Sequence, residues 1–146
     1  MSLTRGFSLI ELVVVMVIAA ILAAIAIPRL TESESKATWF HEQAKAAVRY
    51  AQRQAVAQRR CVFVSVTAAQ VSLAYGNPTC TAPATALTQL INGQAYILTA
   101  PTGTGIALQT GASPFSFNGL GQPSQNMVLN IAGRTITVIT ETGYVK

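Results

Sequence analysis

Residues 7–27 read FSLIELVVVMVIAAILAAIAI, and from Leu12 to Ile27 no polar side chain interrupts the run. As a helix rising ~1.5 Å per residue, the stretch measures about 31 Å, close to the ~30 Å hydrocarbon core of a bilayer. Its valines and isoleucines are no obstacle to helix there, because lipid forces every backbone group to bond within the segment. Arg5 precedes the run and Arg29 follows it, so flanking charge is a weak orientation signal. A cleavable secretory signal has a shorter apolar stretch of about 7–15 residues with small residues at its end. Here the run is longer and Pro28-Arg29-Leu30 follows. A plain signal-anchor helix accounts for the hydropathy but not for Glu11. A carboxylate at a span's centre costs ~2.5–3.5 kcal/mol, less near an end. Either Glu11 snorkels to the headgroups, or it pairs with a cation inside the membrane.

The 146 residues suit one domain, or one domain plus an anchor. Half are apolar and 10% are charged, against roughly 25% in soluble proteins. Without the apolar run the remainder is an ordinary, rather polar small domain, which excludes a disordered chain and a many-span membrane protein. Enzyme classes thin out on the same counts. There is no aspartate, the carboxylates are Glu11, Glu32, Glu34, Glu42 and Glu141, and His41 is the one imidazole. Dyads, two-metal sites and Ser-His-Asp triads need clusters of such groups. A Cys-His pair is formally available, but Cys61, Cys80 and His41 are too few and too scattered for zinc. The expectation is no enzyme, no cofactor and no metal.

Arg5-Gly6-Phe7-Ser8-Leu9-Ile10-Glu11-Leu12-Val13 resembles the type IV prepilin cleavage signature, and Pro28 falls 22 residues along from Phe7, counting both, where that family often has a proline. The family comprises the type IV pilins and the pseudopilins of type II secretion. The resemblance covers about the first 30 residues. It implies that a prepilin peptidase cuts between Gly6 and Phe7 and N-methylates Phe7, leaving the leader at 1–6 in the cytoplasm. Residues 7–29 would form the membrane and assembly helix, and residues 30–146 a periplasmic domain. Glu11 then has a partner: the new amino group on Phe7 of a neighbouring subunit. Both charges are costly in an apolar bundle unless paired.

Pro28 lacks an N–H and clashes with the preceding turn, so the sequence predicts a kink or interruption there. A second helical pattern covers about residues 32–59, capped by Thr31 or Ser33, with Glu32 and Glu34 at the positive end of the dipole. Ala37, Phe40, Ala44, Ala47, Val48, Ala51 and Ala55 recur at three- and four-residue steps as one apolar stripe. Lys45, Arg49 and Arg53 form a basic stripe that Arg59 and Arg60 extend. This is either a solvated face or an anion contact for DNA or lipid headgroups. With Tyr50 the one aromatic beside the stripe, the nucleic-acid signal is weak. Trp39, Phe40 and His41 suit packing or subunit contact.

From Cys61 onward the pattern is of short strands: 61–66, 70–75, 94–98, 105–109, 127–131 and 134–140, with Ala132-Gly133 as a tight turn and a short edge strand at Gly143-Tyr144-Val145. Residues 79–88 and 116–123 read as loops. Gly119 and Gly121 lack the residues of a phosphate loop. The expected fold is therefore α+β, a long N-terminal helix against an antiparallel sheet, which the pilin resemblance also implies. Arg49-Tyr50-Ala51-Gln52-Arg53-Gln54-Ala55, Arg59-Arg60, Val62-Phe63-Val64 and the closing ITVITETGYV resemble the minor-pilin branch: pseudopilin H, the FimT-like group and the minor pilins of the mannose-sensitive haemagglutinin pilus. In an exported domain Cys61 and Cys80 would meet an oxidising compartment and form a disulfide worth ~3 kcal/mol by loop closure; two buried thiols are the alternative.

The implied function is a minor pilin or pseudopilin assembled into a type IV pilus-like filament. The alternatives are a minor pseudopilin of a secretion initiation or tip complex, and a tip pilin that binds DNA or a surface. Implied partners are other pilin or pseudopilin subunits, prepilin peptidase, the inner-membrane assembly platform and membrane lipid. The implied location is the bacterial inner membrane, single-pass with the C-terminal domain in the periplasm, and then the filament.

Overall fold

A computed structural model describes residues 8–89 and 92–146, and the side chains of all of these except residues 24–33. The chain divides into two compact units, residues 1–35 and 36–146. Helix α1 spans Leu9–Gln58. It begins at Ser8, whose carbonyl accepts from the Glu11 and Leu12 amides. The interruption expected at Pro28, with a separate helix from about residue 32, is absent: the helical backbone runs through Pro28. A proline removes one N–H from the ladder, and the bonds on either side suffice to carry the helix past it.

The helix ends without a glycine. Arg59 takes a left-handed conformation (φ 50°) and the Arg60 amide reaches back to the Ala55 carbonyl at 3.2 Å. That is the wrapped C-terminal motif usually closed by glycine, and it turns the chain directly into the first strand.

The strands are β1 (Val62–Val66), β2 (Gln70–Gly76), β3 (Pro83–Ala86), β4 (Ile97–Thr99), β5 (Ile106–Thr110), β6 (Phe115–Phe117), β7 (Met127–Ile131) and β8 (Arg134–Val138). All pairings are antiparallel. One sheet has the order β3-β2-β1-β6, with β4 also on β2; the other runs β5-β7-β8. β3 and β4 share one edge of β2: β3 pairs with Ala74–Gly76 and β4 with Gln70–Ser72. β3 falls in a stretch expected to be loop, β6 overlaps the start of another, and β4 is shorter and later than the expected 94–98. The tail pairs by a single bridge, Val138 to Val145. At the β7–β8 turn Ala132 and Gly133 both have positive φ, as a two-residue hairpin of right-handed twist requires.

Register and alternation build the core. Val62, Val64 and Val66 sit opposite Tyr75, Leu73 and Val71, and Phe117 and Phe115 oppose Val62 and Val64 on the other side. In the second sheet Met127 faces Val138, Leu129 faces Ile136, and Ile131 faces Ile106. These side chains pack with Phe40, Ala44, Val48, Ala51 and Ala55 of α1 into one cluster, all of it within residues 36–146. Of the expected stripe, only Ala37 is not fully buried. At roughly 25 cal/mol per Å², removing these side chains from water is the main force holding helix and sheets together.

Candidate assembly helix and basic groove

The cleavage-site residues Gly6 and Phe7 lie outside the described residues. Glu11 is described: it occupies the first turn of α1 and is exposed. There its charge opposes the positive end of the helix dipole. The large apolar residues from Leu9 to Leu22 are 48–82% exposed, a hydrophobic surface in which Glu11 is the one charged residue. Among the described residues no helix is long and apolar enough to cross a membrane. The run 7–27 lies partly outside them, because residue 7 and the side chains of 24–27 are not described.

Cys61 and Cys80 form a disulfide, with Cα atoms 5.7 Å apart. It ties the start of β1 to the loop after β2. Asn77 braces the same loop, its Oδ1 accepting from the Thr81 amide at 2.8 Å and the Ala82 amide at 3.3 Å.

The five cations of the basic stripe do not make one site. Lys45, Arg49 and Arg53 line an open groove of about 720 Å³ with Glu42, Gln43, Tyr50, Gln89, Tyr96 and Leu98. Arg59 borders a different depression beside Asn118 and Leu120. Arg60 lies over the Tyr75 ring, 4.3 Å from its centre, and donates to the Gly76 carbonyl at 3.3 Å. Arg49 is also a tether: its Nε and Nη2 donate to the Val145 carbonyl at 3.3 and 2.9 Å.

Tyr50 is not the lone aromatic of this face. Tyr96 stacks on it, ring centres 5.5 Å apart and planes 20° from parallel. Strand pairing delivers Tyr96: its amide donates to the Leu87 carbonyl, and its carbonyl accepts from Leu73 on β2. Burial, and then the neighbouring Tyr50 hydroxyl, push the Tyr96 phenol above its ordinary 10.0, so it stays a neutral donor. A polar relay continues along the helix, with Gln54 donating to the Tyr50 hydroxyl at 2.8 Å and Gln58 to the Tyr75 hydroxyl at 2.9 Å. No local periodicity in the sequence points to Tyr96, Gln89 or Leu98 as neighbours of the basic stripe, because they arrive through the β3–β4 excursion.

Phe40 is fully buried. His41 is nearly so, with Nδ1 3.1 Å from Glu42 Oε1 and Nε2 3.4 Å from the Thr135 carbonyl. Trp39 is 61% exposed. Among the described residues no three His, Cys, Asp or Glu side chains gather as a metal ion would need. The loop of Gly119 and Gly121 is organised by Asn118, whose Oδ1 accepts from the Leu120 and Gln122 amides.

A long N-terminal helix whose C-terminal part packs on antiparallel sheets is a pilin-like fold. Residues 1–27 match the family model described as the prokaryotic N-terminal methylation motif. Among solved structures, the chain is similar to the type IV minor pilin FimU of Pseudomonas aeruginosa. That match has 16% identity, covers 77% of this chain and 90% of that one, and has a TM-score of 0.53. A second crystal form of FimU gives 14% identity, coverage of 82% and 90%, and the same TM-score of 0.53. The minor pseudopilin EpsH from the type 2 secretion system of Vibrio cholerae gives 11% identity, coverage of 76% and 94%, and a TM-score of 0.60. No curated protein sequence matches the chain. The chain thus carries a prokaryotic N-terminal methylation motif at residues 1–27 and a fold similar to those of FimU and EpsH.

Proposed function

We propose that this chain is a minor pilin or minor pseudopilin: a structural subunit that waits in the inner membrane and is then built into a type IV pilus-like filament. The observation that carries the reading is the methylation motif over residues 1–27 joined to a pilin-like fold. Prepilin peptidase cuts after Gly6 and methylates the new amine of Phe7. The apolar half of α1 holds the subunit in lipid with residues 36–146 in the periplasm. An inner-membrane assembly platform then moves it into the filament, where helix packing replaces the burial that lipid supplied. A head-to-tail contact of this kind does not close on itself, so it grows a filament.

Intact mass and N-terminal sequencing of the protein from a producing cell test the processing. The expected mature chain starts at Phe7 with one added methyl group. A chain starting at Met1, or cut after Ala26, would overturn the reading. The likeness to EpsH supports the secretion pseudopilus as a second reading. Deletion separates the two, since a pilus subunit's loss removes surface fibres and a pseudopilin's loss retains secreted proteins in the periplasm.

A further inference from the structure

The groove of Lys45, Arg49 and Arg53 has a lining that is neither uniformly basic nor uniformly apolar. The three cations recur at four-residue steps on α1, which sets successive side chains roughly 5–6 Å apart on one face. Beside them on α1 lie Glu42, a carboxylate, and Tyr50, whose ring stacks on Tyr96; Tyr96 and Leu98 add apolar surface and Gln89 an amide from the β3–β4 segment. We propose that this groove seats an acidic segment of a different polypeptide, a neighbouring subunit rather than a second copy of this chain. The proposal rests on the assembly reading above and names the partner's chemistry.

Charge decides against a second copy. Eight of the ten cations lie in residues 36–146, and the carboxylate side chains there are only Glu42 and Glu141. Glu42 lines the groove itself and contacts His41. The remaining carboxylates of the chain are Glu11, Glu32 and Glu34, and no two of its five acids stand three or four residues apart, so one copy has no acidic stripe in step with the three cations to lay against the next. The lining decides against nucleic acid. The two tyrosines stack on each other and leave no slot between them for a base. Glu42 would face a continuous phosphate chain, and Arg49 already spends two donors on the Val145 carbonyl. Separate carboxylates set among apolar side chains and peptide groups match what remains: Lys45 and Arg53 for the charges, Gln89 and Glu42 for backbone groups, Leu98 and the rings for the apolar part. Among the described residues Lys45 and Arg53 make no side-chain ion pair of their own.

The test uses the full chain in a non-ionic detergent. Its probe is a short fluorescein-labelled peptide with glutamate at every fourth position and leucines between, read by anisotropy. The acidic peptide should bind, and its glutamine counterpart should not. The double variant Lys45→Gln, Arg53→Gln should weaken binding about tenfold, a change of ~1.4 kcal/mol. The variant Arg134→Gln, Lys146→Gln removes the same charge outside the groove and should change binding less than about twofold. Equal weakening by both pairs would reduce the effect to net charge and overturn the proposal. So would a single-stranded oligonucleotide of the same charge that displaces the peptide at lower concentration in ~0.15 M salt. A wild-type dimer in sedimentation that the Lys45→Gln, Arg53→Gln variant loses would reassign the groove to a second copy. None of these readouts involves filament entry, so their failure leaves the assembly reading standing.

Discussion

Gly143 shows how much of this fold rests on one hydrogen atom in place of a side chain. Its φ is 67°, and a Cβ there would overlap the Gly121 carbonyl and the Gln52 side-chain nitrogen. Gln52 donates to that same carbonyl at 3.0 Å, so helix, loop and tail meet at this point. Gly133 is the natural comparison: its φ is 80°, but nothing lies within 4 Å of a built Cβ. Gly133→Ala should cost only the left-handed penalty of about 1–2 kcal/mol. Gly143→Ala adds a clash with backbone and should cost about 2–4 kcal/mol. Urea unfolding of the detergent-solubilised chain, followed by near-ultraviolet circular dichroism, checks both. Equal midpoints for the two variants would mean that the junction yields and the packing argument is wrong.

At the scale of elements, the disulfide constrains the loop between β2 and the short strand β3. The bond closes a loop between positions 19 apart, which by loop entropy is worth about 3 kcal/mol. Reduction should lower the unfolding free energy by about that amount, a fall of about 1–3 M in the urea midpoint, while far-ultraviolet signal in the absence of urea stays the same, because every residue of β1 pairs with β2 independently of it. A large loss of strand signal on reduction would show that the bond organises the sheet as well as stabilising it. The same elements mark where the sequence is legible. The helix stripe and strands β1, β2, β7 and β8 announce themselves, because each sends alternate or every third and fourth residue into one core, whereas β5 contributes Ile106 alone. β3 does not, since Pro83–Ala86 is exposed at all four positions and is a strand only because it completes an edge of β2. β6 buries Phe115 and Phe117, but three residues are too few to show a period. Continuity through Pro28 was illegible for the opposite reason: a strong local signal for a break is outweighed by the helical residues on both sides. The groove is half legible. Its cations share a helix and a spacing, whereas Tyr96 and Leu98 reach it through pairing that no local pattern encodes.

At the scale of the whole molecule, the two units divide the labour, and Glu11 belongs wholly to the first. The core cluster lies within residues 36–146, so nothing that folds the sheets depends on residue 11. Glu11→Ala removes the carboxylate from the apolar run, and insertion into a membrane should become slightly easier. The helix loses at most about 0.3–1 kcal/mol of dipole interaction at its first turn. What the change should abolish is pairing with the Phe7 amine of an adjacent subunit, which leaves a cation unpaired in a dry helical bundle at a cost of several kcal/mol. Glu11→Gln, which keeps the shape without the charge, should behave as Glu11→Ala does. Both variants should therefore be cleaved, remain in the inner membrane with near-ultraviolet spectra like the wild type, and fall at least about tenfold in sheared filaments, as a loss above ~1.4 kcal/mol dictates. Quantitative immunoblots of membrane and sheared fractions make the comparison. Wild-type incorporation of either variant would show that Glu11 is a snorkelling carboxylate, and the assembly contact would have to be sought along the exposed apolar face from Leu9 to Leu22.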